Sequence, residues 1–278
     1  MTLLSVETEQ HLITTARRIR KNVLTAIHAV GTGHAGSSLS LIEILVMLYF
    51  RHLKIDPKCP NWEDRDWFIL SKGHGSPALY ATLAAAGYFS EERLQSLRQF
   101  GSGLHGHPVA GQLPGIDVST GSLGQGLSIA VGLALGFMRQ GRTNRVVCIL
   151  GDGELQEGQN WEAANTASTF GVANLCCIVD RNGLQNDGDT ETIMPLGDLC
   201  ARFRAFGWQA MEIDGHNFQA IDKALWYARQ SSVPCILVAK TVKGRGVSFM
   251  EGVVKWHHHP IDNNHLVLAL SELDGALM

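Results

Sequence analysis

Two polar side chains follow two neighbouring apolar runs, at the points where buried strands would end. Asp152 lies between two glycines after the run 146–150, and Asn182 lies thirty positions later, after the run 175–179. One strand–helix–strand crossover spans such a distance, so both side chains would meet at the carboxyl edge of a parallel sheet. A carboxylate, an amide oxygen and a backbone carbonyl suit a hard divalent cation such as Mg²⁺ or Ca²⁺. The spacing therefore predicts a cation site that also takes phosphate oxygens.

The glycines beside Asp152 support the same interpretation. They would let backbone N–H groups approach a phosphate, with the N-terminus of the next helix directed at it. The simpler alternative is a strand-to-helix turn in which Asp152 is the N-cap. The polar strand end at Asn182, and a third one at Ser71–Gly75 after the run 67–70, favour the cation–phosphate site.

Three histidines lie in glycine-flanked segments: His34, His74 and His107. Imidazole exchanges protons in both directions near neutral pH, so these three are candidates for proton transfer. The run His257–His259 is not expected to be a transition-metal site, because three consecutive side chains rarely point at one ion. Four further histidines lack such surroundings and are expected to be structural: His11, His28, His52 and His216.

The elements that must position these residues are short apolar runs alternating with amphipathic segments. This alternation predicts an α/β fold, a doubly wound, mostly parallel sheet with helices on both faces. The predicted strands are Trp67–Leu70, Val146–Leu150, Leu175–Val179, Trp208–Ile213 and Cys235–Ala239. The predicted helices are Glu9–Ala29, Leu41–Arg51, Pro77–Ala86, Leu123–Met138, Gln159–Phe170 and Phe218–Arg229. In the absence of a repeat or a linker-like stretch, residues 1–278 are expected to form a single domain, with a C-terminal tail from about 250.

Composition excludes several classes of protein. Hydrophobic residues make up 45% and charged residues 18% of the chain, which is incompatible with a disordered or coiled-coil protein. The net charge is −3 and there is no basic stripe, which argues against binding to nucleic acid or to a membrane surface. The basic segment Lys243–Gly246 either contacts phosphate or forms a solvated turn.

Three features of the sequence predict a cytoplasmic location. No apolar stretch is long enough to span a bilayer, and no basic region leads a long apolar run near the N-terminus. The six cysteines have no CxxC spacing, and four of them lie inside apolar runs, as buried thiols of a reducing compartment do. We therefore expect a soluble, cytoplasmic protein.

The ordered motifs resemble those of thiamine diphosphate enzymes, and among these the transketolases, over almost the whole chain. The stretch GDGELQEG…CIVDRNGLQNDG resembles the cofactor motif of GDG, about thirty residues and Asn. Gly33–Ser37 resembles the histidine loop GHPGAP, and Ser71–Gly75 resembles a second histidine motif. Gly106–Pro108 with Leu113–Gly115 is similar to GHPE…LPGVE, and Thr120–Gly126 is similar to TGPLGQG.

The resemblance implies a thiamine diphosphate-binding fold of the pyrophosphate-domain type, with Mg²⁺ as second cofactor and Ca²⁺ or Mn²⁺ as substitutes. It carries over Asp152, Asn182 and the Leu184 carbonyl as metal ligands. The implied cofactor-binding residues are His74, Gly121, Ser122, Leu123, Gly151, Asp152, Gly153, Asn182 and Leu184. Ala35 and Ser122 stand where the family motifs carry proline, a difference that bears on loop stiffness more than on chemistry.

Five residues are implied to act on the substrate. His34 and His107 would hydrogen-bond hydroxyls of the donor ketose, and His74 would lie near the diphosphate and the reaction centre. His257 would be the histidine that family members carry after the last strand. Glu157 either joins a carboxylate network that reaches the partner chain's cofactor site, or is a first-turn glutamate favoured by the helix dipole.

The chain resembles only the first of the three domains of a transketolase. The resemblance therefore implies the N-terminal subunit of a split transketolase. Its partner would be a C-terminal subunit with the pyrimidine-binding and C-terminal domains, in an α₂β₂ assembly. The implied reaction transfers a two-carbon ketol unit from a ketose or ketose phosphate to an aldose or aldose phosphate, with thiamine diphosphate as cofactor.

Two other interpretations stay open. One is another thiamine diphosphate reaction, that of a deoxyxylulose-phosphate synthase or of a 2-oxoacid dehydrogenase α-subunit. The segment Gly33–Ser38 resembles the synthase, whereas the His107-Pro motif and its short distance to Gly121 favour transketolase. The other is a non-catalytic half that binds the cofactor and a partner without turnover.

Overall fold

A single parallel sheet of five strands lies at the centre of the chain, in a computed structural model that describes residues 4–275. The strands are β1 (Trp67–Leu70), β2 (Val146–Gly151), β3 (Leu175–Arg181), β4 (Gln209–Asp214) and β5 (Cys235–Lys240). Their spatial order is β1-β2-β3-β5-β4, and every neighbouring pair is parallel. The α/β fold class and the five predicted strands are confirmed, with bounds that differ by at most two residues.

Helices cover both faces of the sheet. They are α1 (Val6–Val30), α2 (Ala35–Leu39), α3 (Ile42–Met47), α4 (Ser76–Ala85), α5 (Gln125–Arg139), α6 (Gln159–Thr169), α7 (Thr190–Ile193), α8 (Leu199–Ala205), α9 (Phe218–Arg229) and α10 (Asn263–Gly275). Alternate strand residues enter two separate cores: Val147 and Ile149 face the core under α1, α4 and α9, whereas Val146 and Cys148 face the core under α5 and α6. The uninterrupted apolar runs follow from this burial on both faces.

Several parts of the chain differ from the prediction, and the helices α7 and α8 were not predicted. The single helix predicted over Leu41–Arg51 is α3 followed by a π-helical turn, Leu48–His52, where Arg51 Nε and His52 Nε2 both bind Asp222 of α9. Residues after His34 form the short helix α2, which the glycine content of the segment concealed. The segment from about 250 ends in α10, which packs against α1. Within residues 4–275, no helix is both long and apolar enough to cross a membrane.

A group of three polar side chains, from Arg20, Glu43 and His216, ties α1, α3 and the end of β4 together. Arg20 Nη2 donates to Glu43 Oε1 at 2.6 Å, and His216 Nδ1 lies 3.0 Å from Glu43 Oε2. Burial raises the pKa of Glu43, but the charge of Arg20 and the hydrogen bond from His216 outweigh it and lower the pKa to about 2. Glu43 is therefore ionised at neutral pH.

Glu43→Gln should lower the free energy of unfolding at pH 7 by about 3 kcal/mol, because the variant loses the carboxylate that neutralises buried Arg20. A carboxyl with a lowered folded-state pKa stabilises the fold above its unfolded-state pKa. The difference between wild type and variant should thus shrink as the pH falls from 4.5 towards about 2. Urea unfolding of both proteins over this pH range measures the difference in free energy of unfolding. A difference that stays constant would contradict the lowered pKa of Glu43.

Candidate active site

A cleft of about 390 Å³ opens at the carboxyl ends of β1, β2 and β3. Parallel sheets place ligand sites at this edge. Twelve of the thirteen candidate residues line the cleft: His34, His74, His107, Gly121, Leu123, Gly151, Asp152, Gly153, Glu157, Asn182, Leu184 and His257. The exception, Ser122, belongs to the same segment as Gly121 and Leu123, but it is exposed and does not line the cleft.

Asp152 and Asn182 organise the backbone of the two strand ends. The β2–β3 register pairs Gly151 with Asp180, so the residues that follow these positions come together. Asp152 accepts the N–H of Gly153 at 2.8 Å through Oδ1 and that of Gly183 at 2.6 Å through Oδ2. Burial and the nearby carboxylate of Asp180 raise the pKa of Asp152 to about 6. A buried carboxylate in these surroundings is a place where a cation would be stabilised.

The donor set at this point is one carboxylate, one amide and one carbonyl. Asn182 Oδ1 accepts the N–H of Leu184 at 3.2 Å. No cluster of three or more His, Cys, Asp or Glu side chains in the described part of the chain is arranged to hold a metal. A cation held by Asp152, Asn182 and the Leu184 carbonyl would therefore complete its shell with oxygens of a ligand or of water, as Mg²⁺ commonly does.

Lys243 reaches into the cleft from the segment after β5. Its side chain is 1% exposed, and Nζ donates to the Leu184 carbonyl at 2.6 Å and lies 3.0 Å from His257 Nδ1. Burial and the charge of Lys72 lower the pKa of Lys243 to about 8. Of the two interpretations of the basic segment, the solvated turn is wrong for Lys243 and describes only exposed Arg245. A metal at the Leu184 carbonyl would take over that oxygen from the ammonium group.

A second buried lysine stands on the floor of the cleft and was missed from the sequence. Lys72 Nζ donates to Asp180 Oδ2 and, at 3.1 Å, to the Ser37 carbonyl. Asp180 is fully buried and also accepts the hydroxyl groups of Ser40 and Thr241. Burial raises the pKa of Asp180, but the charge of Lys72 and these hydrogen bonds outweigh it and keep the pKa below its usual range. The only sequence signal was that Lys72 and Asp180 both stand at strand ends.

Glu154 was also not predicted from the sequence. Its carboxylate stabilises the turn after β2. Its buried carboxylate accepts the N–H groups of Gly124 at 2.9 Å and Gly151 at 3.0 Å, and the hydroxyl of Ser71. These bonds join the ends of β1 and β2 to the start of α5. Glu157, by contrast, is exposed at the cleft, and its carboxylate has no hydrogen-bond or ion-pair partner among residues 4–275.

The four candidate histidines form one cluster around His34. The ring centroid of His34 lies 5.3 Å from that of His74, 6.4 Å from that of His107 and 5.4 Å from that of His257. Adjacent His258 also packs on His34, at 4.7 Å, but its Nε2 lies 3.0 Å from the hydroxyl of Thr32 at the rim.

Three of these histidines, His34, His74 and His257, are held in the neutral form at neutral pH. Burial and then the neighbouring histidines lower the pKa of His34 to about 3, and burial and Lys243 lower that of His257 to about 3. Burial and Lys72 also hold the pKa of His74 well below its usual range. His34 Nδ1 is buried without a hydrogen-bond partner anywhere in residues 4–275. Neutral imidazoles that carry one donor and one acceptor nitrogen suit ligand hydroxyls.

The comparisons with known proteins agree with this geometry. Residues 9–273 match the family described as transketolase, thiamine diphosphate binding domain. The chain is 45% identical over 260 residues to the 6-deoxy-6-sulfo-D-fructose transketolase subunit SqwG of Clostridium sp. (strain MSTE9), covering 93% of this chain and 94% of that one. It is 41% identical over 254 residues to one subunit of the apulose-4-phosphate transketolase of Actinobacillus succinogenes, covering 91% and 92%.

Solved structures of whole transketolases contain the same fold. The structure of transketolase from Campylobacter jejuni superposes with a TM-score of 0.90 at 33% identity, over 95% of this chain and 43% of that chain. The chain thus spans less than half of a whole transketolase, but nearly all of the two transketolase subunits. The family match over residues 9–273 and these relatives show that the chain belongs to the transketolase family, as a counterpart of its thiamine diphosphate-binding domain.

Proposed function

We propose that this chain is the N-terminal, cofactor-binding subunit of a split transketolase, and that residues 1–278 form its single domain. Together with a C-terminal partner subunit it would transfer a two-carbon ketol unit from a ketose to an aldose. The observation that carries the proposal is the cleft itself. Four clustered histidines adjoin two buried lysines and the Asp152–Asn182 strand ends, so groups for hydroxyls, phosphate and a cation share one site.

The residues present fit thiamine diphosphate and Mg²⁺. Asp152, Asn182 and the Leu184 carbonyl would hold the cation, and the Lys243 ammonium group would neutralise diphosphate oxygens beside it. Gly121 has a φ of +147°, and a Cβ there would lie 3.1 Å from the His107 ring, so only glycine leaves this wall free for a flat ring system. When bound, thiamine diphosphate supplies the nucleophilic carbon that accepts and then releases the ketol unit.

The protein's own contribution to ketol transfer is to hold hydroxyl groups and move their protons. We assign His34 and His107 to the hydroxyls of the ketose, because His34 Nδ1 is buried and unpartnered within residues 4–275. His74 and His257, packed at 5.3 Å from each other, would take the groups nearest the cofactor. Their lowered pKa values keep His34 and His257 neutral, so each ring offers one hydrogen-bond donor and one hydrogen-bond acceptor to the hydroxyl groups.

The partner subunit would close the open side of the cleft. We propose an α₂β₂ assembly in which Glu157 contributes its carboxylate to the contact with the partner, since that group is exposed and unpaired in residues 4–275. A cytoplasmic location is supported by the six cysteines, all of which are free thiols and five of which are buried.

The substrates are proposed to carry a charged group at the end away from the ketol carbons. SqwG is named for a sulfonated ketose and its relative in Actinobacillus succinogenes for a sugar phosphate. Both names describe a sugar with a terminal anion, and this chain is more than 40% identical to each protein.

The test uses the chain purified with its partner subunit, thiamine diphosphate and Mg²⁺. We expect fructose 6-phosphate and glycolaldehyde to be converted to erythrose 4-phosphate and erythrulose, with no consumption of pyruvate. Release of CO₂ from pyruvate would favour the synthase or dehydrogenase reaction instead. A complex that keeps its cofactor but turns over neither substrate would favour the non-catalytic half.

A further inference from the structure

The segment after β5 lies between the cleft and a second cavity, of about 720 Å³, which is lined by parts of α1, α9 and α10. The hydrogen-bond ladder of the sheet extends to Thr241, whose N–H donates to the Arg181 carbonyl at 3.2 Å. Beyond that point the chain runs between the two spaces: Lys243 lines the cleft and Arg245 lines the second cavity. Contacts on the side of the second cavity can therefore determine where the lysine lies in the cleft.

His216 holds this segment from the side of the second cavity. Its Nε2 accepts the N–H of Val242 at 2.8 Å, immediately before Lys243. Since a backbone N–H can only donate, the ring proton is on Nδ1, which donates to Glu43 Oε2 at 3.0 Å. Glu43 is held in turn by Arg20 Nη2 at 2.6 Å. The imidazole is thus fixed in one tautomer and one orientation, with its acceptor nitrogen directed at the segment.

The backbone after the lysine is fixed from both cavities. Arg20 Nε donates to the Arg245 carbonyl at 3.0 Å, and the N–H of Gly244 donates to the Gly36 carbonyl at 3.0 Å. A Cβ on Gly36 would lie 2.8 Å from Cγ of Lys243, so the stem of the lysine packs directly on the Gly36 backbone. A shift of this short segment would therefore move the ammonium group as well.

We propose that His216 is a positioning residue for Lys243, because it fixes the backbone from which the lysine reaches the diphosphate of the cofactor. The inference rests on the proposed function, in which the Lys243 ammonium group neutralises diphosphate oxygens. A lysine stem is long and flexible, so its Nζ stays 2.6 Å from the Leu184 carbonyl and 3.0 Å from His257 Nδ1 only if its backbone is held. His216 lines the second cavity and not the cleft, so it acts through the Val242 N–H.

The first test measures how firmly Lys243 is held, in the partnered complex without cofactor. His216→Phe removes both hydrogen bonds of the ring, whereas His216→Gln retains a donor and an acceptor. Acetylation by acetic anhydride, followed by mass spectrometry, should be at least about fivefold faster at Lys243 in His216→Phe and change less than about twofold at Lys72. His216→Gln should be acetylated like the wild type. His216→Ala serves where His216→Phe does not fold, because water can then fill the space beside Glu43.

Two results of this test would overturn the proposal. An unchanged acetylation rate at Lys243 would show that the lysine is held without His216. An equal acceleration at Lys243 and Lys72 would show that the substitution loosens the whole cleft, which a purely structural residue would also do.

The second test is a double-mutant cycle on the affinity for thiamine diphosphate, measured by isothermal titration at fixed Mg²⁺. His216→Phe should weaken binding about 10- to 100-fold, as loss of groups that orient a ligand commonly does. In the Lys243→Met background the same substitution should weaken binding less than about twofold further, because both residues act through one contact. An additive loss in that background would overturn the proposal.

His52 provides the matched control. Its ring also bonds a buried carboxylate, that of Asp222 at 2.8 Å, but it lies at the opposite edge of the sheet, beside Asn174. His52→Phe should lower the unfolding temperature without changing the acetylation of Lys243 or the affinity for the cofactor. If it changed both as much as His216→Phe does, loss of any buried histidine would suffice and the proposal would be wrong.

The acetylation assay distinguishes failure of this inference from failure of the proposed function. It needs neither cofactor nor turnover. A wild-type complex that binds no thiamine diphosphate would refute the proposed function, yet faster acetylation of Lys243 alone in His216→Phe would still support the role of His216. Normal cofactor binding by His216→Phe, with Lys243 acetylated at the wild-type rate, would overturn this inference and leave the proposed function intact.

Discussion

Asp152→Ala is expected to abolish the retention of thiamine diphosphate and Mg²⁺, and with it all ketol transfer. The carboxylate is 3% exposed, and its two oxygens fix the N–H groups of Gly153 and Gly183. It is also the only charged group in the proposed ligand set of the cation. Loss of groups that merely support a metal ligand costs about 10- to 100-fold in affinity, so loss of the carboxylate itself should cost more than about a hundredfold.

The measurement is isothermal titration of the partnered complex with thiamine diphosphate at fixed Mg²⁺, together with thermal unfolding of each variant. Asp187→Ala is the matched control, because Asp187 lines the same cleft with an exposed carboxylate outside the proposed ligand set. The control should bind the cofactor like the wild type. Cofactor retained by Asp152→Ala at low Mg²⁺ would refute the metal assignment, provided that the variant unfolds at the wild-type temperature.

Asp180→Asn is expected to lower the free energy of unfolding by about 3–5 kcal/mol and to weaken cofactor binding as well. The substitution leaves Lys72, which is 1% exposed, as a buried ammonium group without its counter-ion. It also perturbs Asn182, whose amide lies 3.4 Å from Asp180 Oδ2. The double variant Lys72→Met/Asp180→Leu removes both charges and should recover much of the stability without recovering the cofactor affinity.

Urea unfolding and cofactor titration of the same proteins measure the two effects. The ion pair between Lys240 and Glu212 is the control: it lies on adjacent strands of the same sheet, with an N–O distance of 2.7 Å, but both side chains are well exposed. Glu212→Gln should change stability by less than about 1 kcal/mol. If Asp180→Asn lowered the free energy of unfolding as little as this control, the buried Lys72–Asp180 pair would not be what stabilises the floor of the cleft.

The sequence predicted those features that depend on residues near each other in the chain. Apolar runs located β2, β3 and β5 because strands buried on both faces leave no room for polar residues. The edge strand β4 was predicted from Trp208 and begins at Gln209, since its mixed burial gives a weaker pattern. The histidines at 34, 74 and 107 were found because each stands in a glycine-flanked motif, and the fold brings the other two within 6.4 Å of His34.

What could not be predicted depends on contacts between distant segments. The pair Lys72–Asp180 joins residues 108 positions apart, and neither residue alone reveals a partner. Burial of Lys243 follows only from the turn that the segment after β5 makes into the cleft. The left-handed backbone of Arg98, with a φ of +58°, gave no signal either, because such a conformation leaves no trace in residue types other than glycine. Ser122 was a candidate because it belongs to the motif Thr120–Gly126, but its side chain is exposed and does not line the cleft.

The central claim, that this chain is a cofactor-binding half completed by a second subunit, is tested most directly by native mass spectrometry. The tagged chain would be isolated from its native cells in the presence of thiamine diphosphate and Mg²⁺. The account predicts a complex of two copies of this chain with two copies of a second chain, carrying thiamine diphosphate and Mg²⁺. A dimer of this chain alone, without bound cofactor, would contradict it.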